Sequence, residues 1–156
     1  MTNFTKHKVS TWMLHRGHSF FKSAVLLKRV GGNKDVELYN ICQGIEVVLK
    51  SFLLFRNYDK YKPLLPKRRE FGHDLIKLAN EVLSEYQVKA LSQAQTDELK
   101  RLNHYYTNHY LRYAGVHDIF FPSTDVGYGL VGKKLLASIK LADKKLCAEI
   151  YGDASL

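Results

Sequence analysis

Between Asp97 and His117 the chain reads DELKRLNHYYTNHYLRYAGVH, and the residue types able to do chemistry are concentrated there. At about 3.6 residues per helical turn, Arg101, Asn108 and Arg112 fall in one narrow row, with His104 and Tyr105 on its flanks. Such a face suits RNA: arginine and asparagine hold phosphate oxygens, and an aromatic ring stacks on a base. On the opposite stripe Leu99, Leu102, Tyr106, Tyr110 and Tyr113 are expected to pack inward. Thr96 is the expected N-cap, and Asp97 and Glu98 put negative charge where the helix dipole favours it. Ala114-Gly115 ends the helix, and His117 lies just past that end.

Other elements must position this row. Met13, Phe20, Phe21, Ala24, Leu27 and Val30 recur at helical spacing from Ser10 or Thr11 onward, and Gly31-Gly32 supplies a stop. The strongest run follows, with Leu38, Ile41, Cys42, Ile45, Val48, Leu49, Phe52 and Phe55 keeping the helical repeat over about five turns. Val47, Leu53 and Leu54 widen that stripe, which predicts the central helix. Glu46 and Lys50 within it are spaced for an i,i+4 pair, read as a surface effect of a few tenths of a kcal/mol. From Asn57 to Gly72 the pattern gives way to a basic loop with Lys60, Lys62, Lys67, Arg68 and Arg69, either a phosphate-contact surface or a solvated connector. A third helix is expected from His73 to about Tyr86, with Leu75, Leu78, Ala79, Val82 and Tyr86 inward. After the Asp97 helix, Gly115 to Gly132 is a long loop, a class that is functional or disordered. A last helix, about Val131 to Tyr151, sets Leu135, Ile139, Ala142, Leu146 and Ile150 against a lysine row of Lys133, Lys140 and Lys144. No alternation of period two competes, so the expected fold is all-α, a compact four- to five-helix up-and-down bundle.

The length of 156 residues and a hydrophobic content of 46% predict one domain, residues 1–156, with its core at about 11–151. A net charge of +9 points to an anionic partner such as RNA or nucleotide, or simply to a soluble basic surface. Cys42 and Cys147 sit in or beside apolar helical runs and read as small buried hydrophobes. Without an apolar leader or about 18 uninterrupted apolar residues, no membrane partner and a cytoplasmic location are expected. Glu70-x-x-His73 is one Glu-x-x-His where a di-iron bundle needs two, so no metal site is expected, and the absence of phosphate-loop and dinucleotide fingerprints leaves no cofactor expected.

Three pieces align further. The central helix reads YNICQGIEVVLKSFLLF, the third opens GHDLIKLANEV, and LNHYYTNHYLRY precedes the final helix. Together they resemble the HEPN domain family over most of Thr11 to Tyr151. The resemblance is carried by Gln43, Glu46, Leu49 and Lys50, by His73, Asp74 and Leu75, and by Arg112-Tyr113. It implies a helical bundle that is either a metal-independent ribonuclease or a non-catalytic module that binds nucleotide or RNA, or that partners a nucleotidyltransferase. The ribonucleases carry Arg-x4-6-His, found here as Arg112…His117 at the expected place and again as Arg68…His73. Two departures stand beside this match: Tyr113 replaces a small polar residue after the arginine, and Ile119 occupies a position that is tyrosine in a toxin subgroup.

Metal-free RNA cleavage needs a base for the ribose 2′-hydroxyl and a cation for the phosphorane charge. The resemblance implies His117 as base and Arg112 as stabiliser. Arg101, His104, Asn108, Arg68 and Arg69 then form the RNA surface, with Tyr105 stacking on a base. A homodimer is implied, and a product ending in 2′,3′-cyclic phosphate. His73 reads as part of loop-helix packing.

Overall fold

The structure, a computed structural model, describes residues 1–113, 126–134 and 137. Helices α1 (Asn3–Arg29), α2 (Lys34–Arg56), α3 (Tyr58–Tyr61), α4 (Leu75–Glu85) and α5 (Gln93–Thr107) follow one another, residues 129–134 are also helical, and no strand occurs among the described residues. The protein is therefore all-α over that range. Cys147 and the final-helix positions Leu135, Ile139, Lys140, Ala142, Lys144, Leu146 and Ile150 lie outside it, as does His117.

α2 is the axis of the bundle. Asn33 caps it, its side chain accepting from the backbone N–H groups of Asp35 and Val36, and Asp35 and Glu37 sit in the first turn where the dipole favours them. Leu38, Ile41, Cys42, Ile45, Val48, Leu49, Phe52, Leu53 and Leu54 are all buried. Each large aliphatic or aromatic side chain so removed from water contributes about 1.5–3 kcal/mol. Among the described residues α2 alone is long and apolar enough to cross a membrane, and 67% of that window is buried inside the protein.

α1 lies antiparallel along α2. Lys6 pairs with Asp59 beyond the far end of α2, the His7 ring meets Phe55, and Gly17 meets Gly44 and Val48. Contact at that crossing is close enough that a Cβ at Gly17 would lie 2.4 Å from Val48 Cγ2 and 3.1 Å from its backbone nitrogen. Gly17→Ala is thus expected to force the two helices apart and cost about 1–3 kcal/mol in urea unfolding. α1 begins at Asn3, capped by Thr2, well before the expected Ser10 or Thr11. At its other end Val30 is 77% exposed, where an inward position was expected.

The basic stretch after α2 is not a bare loop. Tyr61, Leu65 and Phe71 are buried, and the chain doubles back so that Gly72 reaches Lys50, in the second half of α2. α4 then advances toward Phe52 and Arg56, where Tyr86 donates to the Phe52 carbonyl and Glu85 faces Arg56. This return breaks the expected up-and-down succession, because α4 runs obliquely in the sense of α2. Asp74, not His73, caps α4, and Asn103 on α5 accepts from the Leu75 N–H at 2.8 Å. The expected inward set of α4, Leu75, Leu78, Ala79, Val82 and Tyr86, is buried throughout.

α5 differs from the sequence reading at both ends. Ser92 rather than Thr96 is its N-cap, in a capping box with Gln95. It stops at Thr107, with Asn108 as C-cap and His109 at φ +63, so it does not run on to Ala114. Leu99, Leu102 and Tyr106 are buried as expected, but Leu111 takes the next inward place, Tyr110 is half-buried and Tyr113 is 72% exposed.

Candidate functional site

A carboxylate on the buried face of a core helix must be fully paired to stay there. Glu46 is such a group, its side chain only 6% exposed, with partners drawn from three separate parts of the chain. Lys50 Nζ donates to it at 2.7 Å from one turn along α2, His73 Nδ1 lies 2.9 and 3.1 Å from its two oxygens, and the Tyr106 hydroxyl donates at 2.5 Å from α5. Burial alone would raise the Glu46 pKa. The hydrogen bonds from Lys50, Tyr106 and His73 and the Lys50 charge outweigh it and hold the carboxyl below its ordinary range. Burial and the same carboxylate push the Tyr106 phenol far up, so it stays a donor.

Lys50 also donates to the Gly72 carbonyl at 2.6 Å. Gly72 itself sits at φ +49, and a Cβ there would come within 3.0 Å of the Arg68 Cα, so this tight turn needs glycine. His73 is thereby held through its backbone and its ring, while its side chain remains 53% exposed. Around it the turn presents Lys67, Arg68 and Arg69, all exposed, with the Lys77 ammonium on the Arg69 carbonyl at 2.9 Å.

A strip of rings leads from His73 to Arg112. The His73 ring stands edge-on to Tyr106 at 6.1 Å, Tyr106 meets Tyr39 at 6.1 Å, and the Arg112 guanidinium lies over the Tyr39 ring at 5.1 Å. Gln43 donates to the Tyr39 hydroxyl at 3.0 Å. The result is an anionic anchor inside, an exposed imidazole against it, and an exposed guanidinium at the far end of the ring strip.

The expected polar row is not assembled as a helical face. Arg101 is exposed on α5, but Asn108 is spent on the C-cap, its amide donating to the His104 carbonyl at 2.8 Å, and Arg112 follows after the chain has turned. His104 and Tyr105 meet each other and Tyr110 at 5.7–6.2 Å in a three-ring cluster, so Tyr105 is half-buried among rings. His117 lies outside the described residues.

Sequence reasoning missed the centre of this arrangement. It placed Glu46 and Lys50 on the surface, yet their side chains are 6% and 13% exposed. The available signal was position: Glu46 falls on the same stripe as Cys42, Ile45 and Leu49. Two further buried carboxylates hold the fold together. Glu37 pairs with Lys34 and accepts from the Tyr128 hydroxyl, and Glu98 accepts the Val131 N–H at 2.5 Å, capping the helical residues 129–134. Burial, then Glu37, pushes Tyr128 up to about 12. Among the described residues no group of three or more His, Cys, Asp or Glu side chains could hold a metal ion. No protein-family model, curated protein or solved structure matches the chain.

Proposed function

We propose that this chain is a HEPN-like protein that acts on RNA as a metal-independent endoribonuclease, with Arg112 and His117 as its active pair. One observation carries the reading. The three segments on which the resemblance rests, 27 and 60 residues apart from Glu46, converge on that single carboxylate. From there ring contacts run from His73 through Tyr106 and Tyr39 to Arg112, which supports reading these segments as parts of one site. In this reading His117 accepts the 2′-hydroxyl proton, the 2′-oxygen attacks phosphorus, and Arg112 neutralises the charge gathering on the non-bridging oxygens. The basic balance of the chain supports an anionic substrate. Pairing of two copies across a shared cleft and a cytoplasmic setting belong to the same proposal.

The exposure of Tyr113 also favours it. An expected inward tyrosine after the arginine argued for a packing role, whereas the residue is at the surface beside Arg112. The test is cleavage of a mixed RNA pool by the purified protein in EDTA, with end-group analysis of the products. Fragments with 2′,3′-cyclic phosphate ends are expected, with a loss of about 10²–10⁴-fold in His117→Ala, the usual contribution of a general base. No cleavage, or cleavage unchanged in that variant, would transfer the assignment to a non-catalytic module that binds RNA or nucleotide, or that partners a nucleotidyltransferase.

A further inference from the structure

α1 has two seams. Its buried residues Ser10, Gly17 and Ala24 fall seven apart and form the seam against α2. On the opposite side Phe4, Lys8, Trp12, His15, Lys22 and Leu26 recur at helical steps, and every one of them is exposed. Of the nine large hydrophobic side chains exposed among the described residues, six belong to residues 1–30, among them Phe4, Trp12, Val25 and Leu26. Beside Leu26 an open, mostly apolar groove is lined by Phe21, Val25 and Leu26 together with Lys22 and Arg29. Single exposed apolar residues are ordinary, but a row of them along one helix marks a contact surface.

The charge on this face says what the contact is. Residues 1–34 hold seven Lys and Arg and no Asp or Glu. Lys6 and Lys34 are taken up in ion pairs, whereas Lys8, Arg16, Lys22 and Arg29 are in none among the described residues. An anionic partner is therefore complementary. A second copy is not, because pairing this face with itself would set cation against cation. Nucleic acid would satisfy the cations and stack on Trp12, but it offers nothing to Val25 and Leu26. Leu26 also lies about 33 Å from Phe4 along the helix axis, so one partner must be broad and flat to meet both. A surface that is anionic at its boundary and apolar beneath does so. The Lys8 ammonium stands 5.1 Å from the centroid of the Trp12 ring, a pairing of cation and indole suited to the headgroup level of a bilayer.

We propose that the outer face of α1 docks on an anionic lipid bilayer. Phe4, Trp12 and Leu26 enter the headgroup boundary, and Lys8, Lys22 and Arg29 meet the lipid phosphates. The expectation of no membrane partner considered spanning runs only. An interfacial helix lies in the plane of the surface instead, and here α2 supports it from behind. The attachment is peripheral and owes nothing to the ribonuclease chemistry.

Trp12 is the only tryptophan of the chain, so its fluorescence reports on this face alone. The purified chain is titrated at low salt with phosphatidylcholine vesicles, and with the same vesicles containing about 30% phosphatidylserine. A blue shift and flotation are expected with the anionic vesicles only, along with quenching by lipids brominated in the acyl chain. Release is expected in about 1 M salt, where the screening length falls to about 3 Å. Lys8→Gln and Lys22→Gln should each weaken partitioning about fivefold, and Leu26→Ser about tenfold. These side chains are exposed, so the fold is retained, and the exposed Lys89→Gln is the matched control that should leave partitioning unchanged. Equal partitioning into neutral and anionic vesicles, or equal losses in Lys89→Gln and Lys22→Gln, would overturn the proposal. A Trp12 signal that answers to polyuridylate and not to vesicles would give the face to nucleic acid and overturn it too. So would a Trp12 already shielded from acrylamide in the free protein, which would mean that another part of the chain or a second copy covers the face.

Discussion

Glu46→Ala is expected to lower the unfolding free energy by about 3–5 kcal/mol, the range for removing one partner of a buried, hydrogen-bonded ion pair. The loss exceeds that of an apolar truncation because three groups are stranded together: the Lys50 ammonium, the Tyr106 hydroxyl and the His73 Nδ1 edge. Lys50 keeps the Gly72 carbonyl, which limits the damage at that end. Glu46→Gln retains an oxygen for one or two donors and should lose less than the alanine variant in urea titration. Acid should remove the same contribution. The folded Glu46 carboxyl lies below its ordinary value, so its stabilising effect is complete above the unfolded value of about 4.3 and is lost as pH falls through the folded one. The stability gap between wild type and Glu46→Gln should therefore narrow from pH 7 toward pH 3. A gap that stays constant would show that the ionised carboxylate is not what the network uses.

Arg112→Ala is expected to reduce single-turnover RNA cleavage in EDTA by about 10²–10³-fold, the usual cost of losing one group that stabilises an oxyanion. Its effect on folding should be small by comparison. A half-exposed guanidinium over a tyrosine ring contributes about 0.5–1 kcal/mol. Arg112→Lys should recover little of the rate, because an ammonium keeps the charge but not the planar fork or its registry on Tyr39. Tyr39→Leu tests that registry directly. It leaves Arg112 in the chain yet removes the platform, and should lower kcat with the charge still present. Full activity in Arg112→Lys would mean that charge alone suffices, and full activity in Arg112→Ala would remove the residue from the site.

α2 was legible almost residue by residue because a helix buried on several sides writes its period into many apolar positions at once. α4 was legible for the same reason on a smaller scale. The start of α5 was not, since its first turn, Gln93 to Thr96, is polar apart from Ala94 and marks no period, and its signal is the capping pair Ser92 and Gln95. Its end was misread because Tyr110 and Tyr113 keep the helical spacing by coincidence. No glycine or proline announces that His109 turns into the left-handed region. The long N-terminal extension of α1 was hidden by its polar residues. At the site, the burial of Glu46 and Lys50 was not legible. A glutamate four residues before a lysine looks the same in sequence whether the pair faces water or core. Only the return of the chain through Gly72 and the arrival of Tyr106 decide which it is.

That shared carboxylate makes the protein harder to improve than its size suggests. Replacing Glu46, Lys50 and Tyr106 together with apolar side chains of similar volume is the kind of change that leaves stability unaltered or raises it in other buried ion clusters. Here the same substitution would release the turn that carries His73 and unseat the ring beneath Tyr39. Selection for a higher melting temperature alone would thus drift toward a firmer bundle with an unorganised face. Variants recovered from such a screen should be sorted by what they keep at position 46.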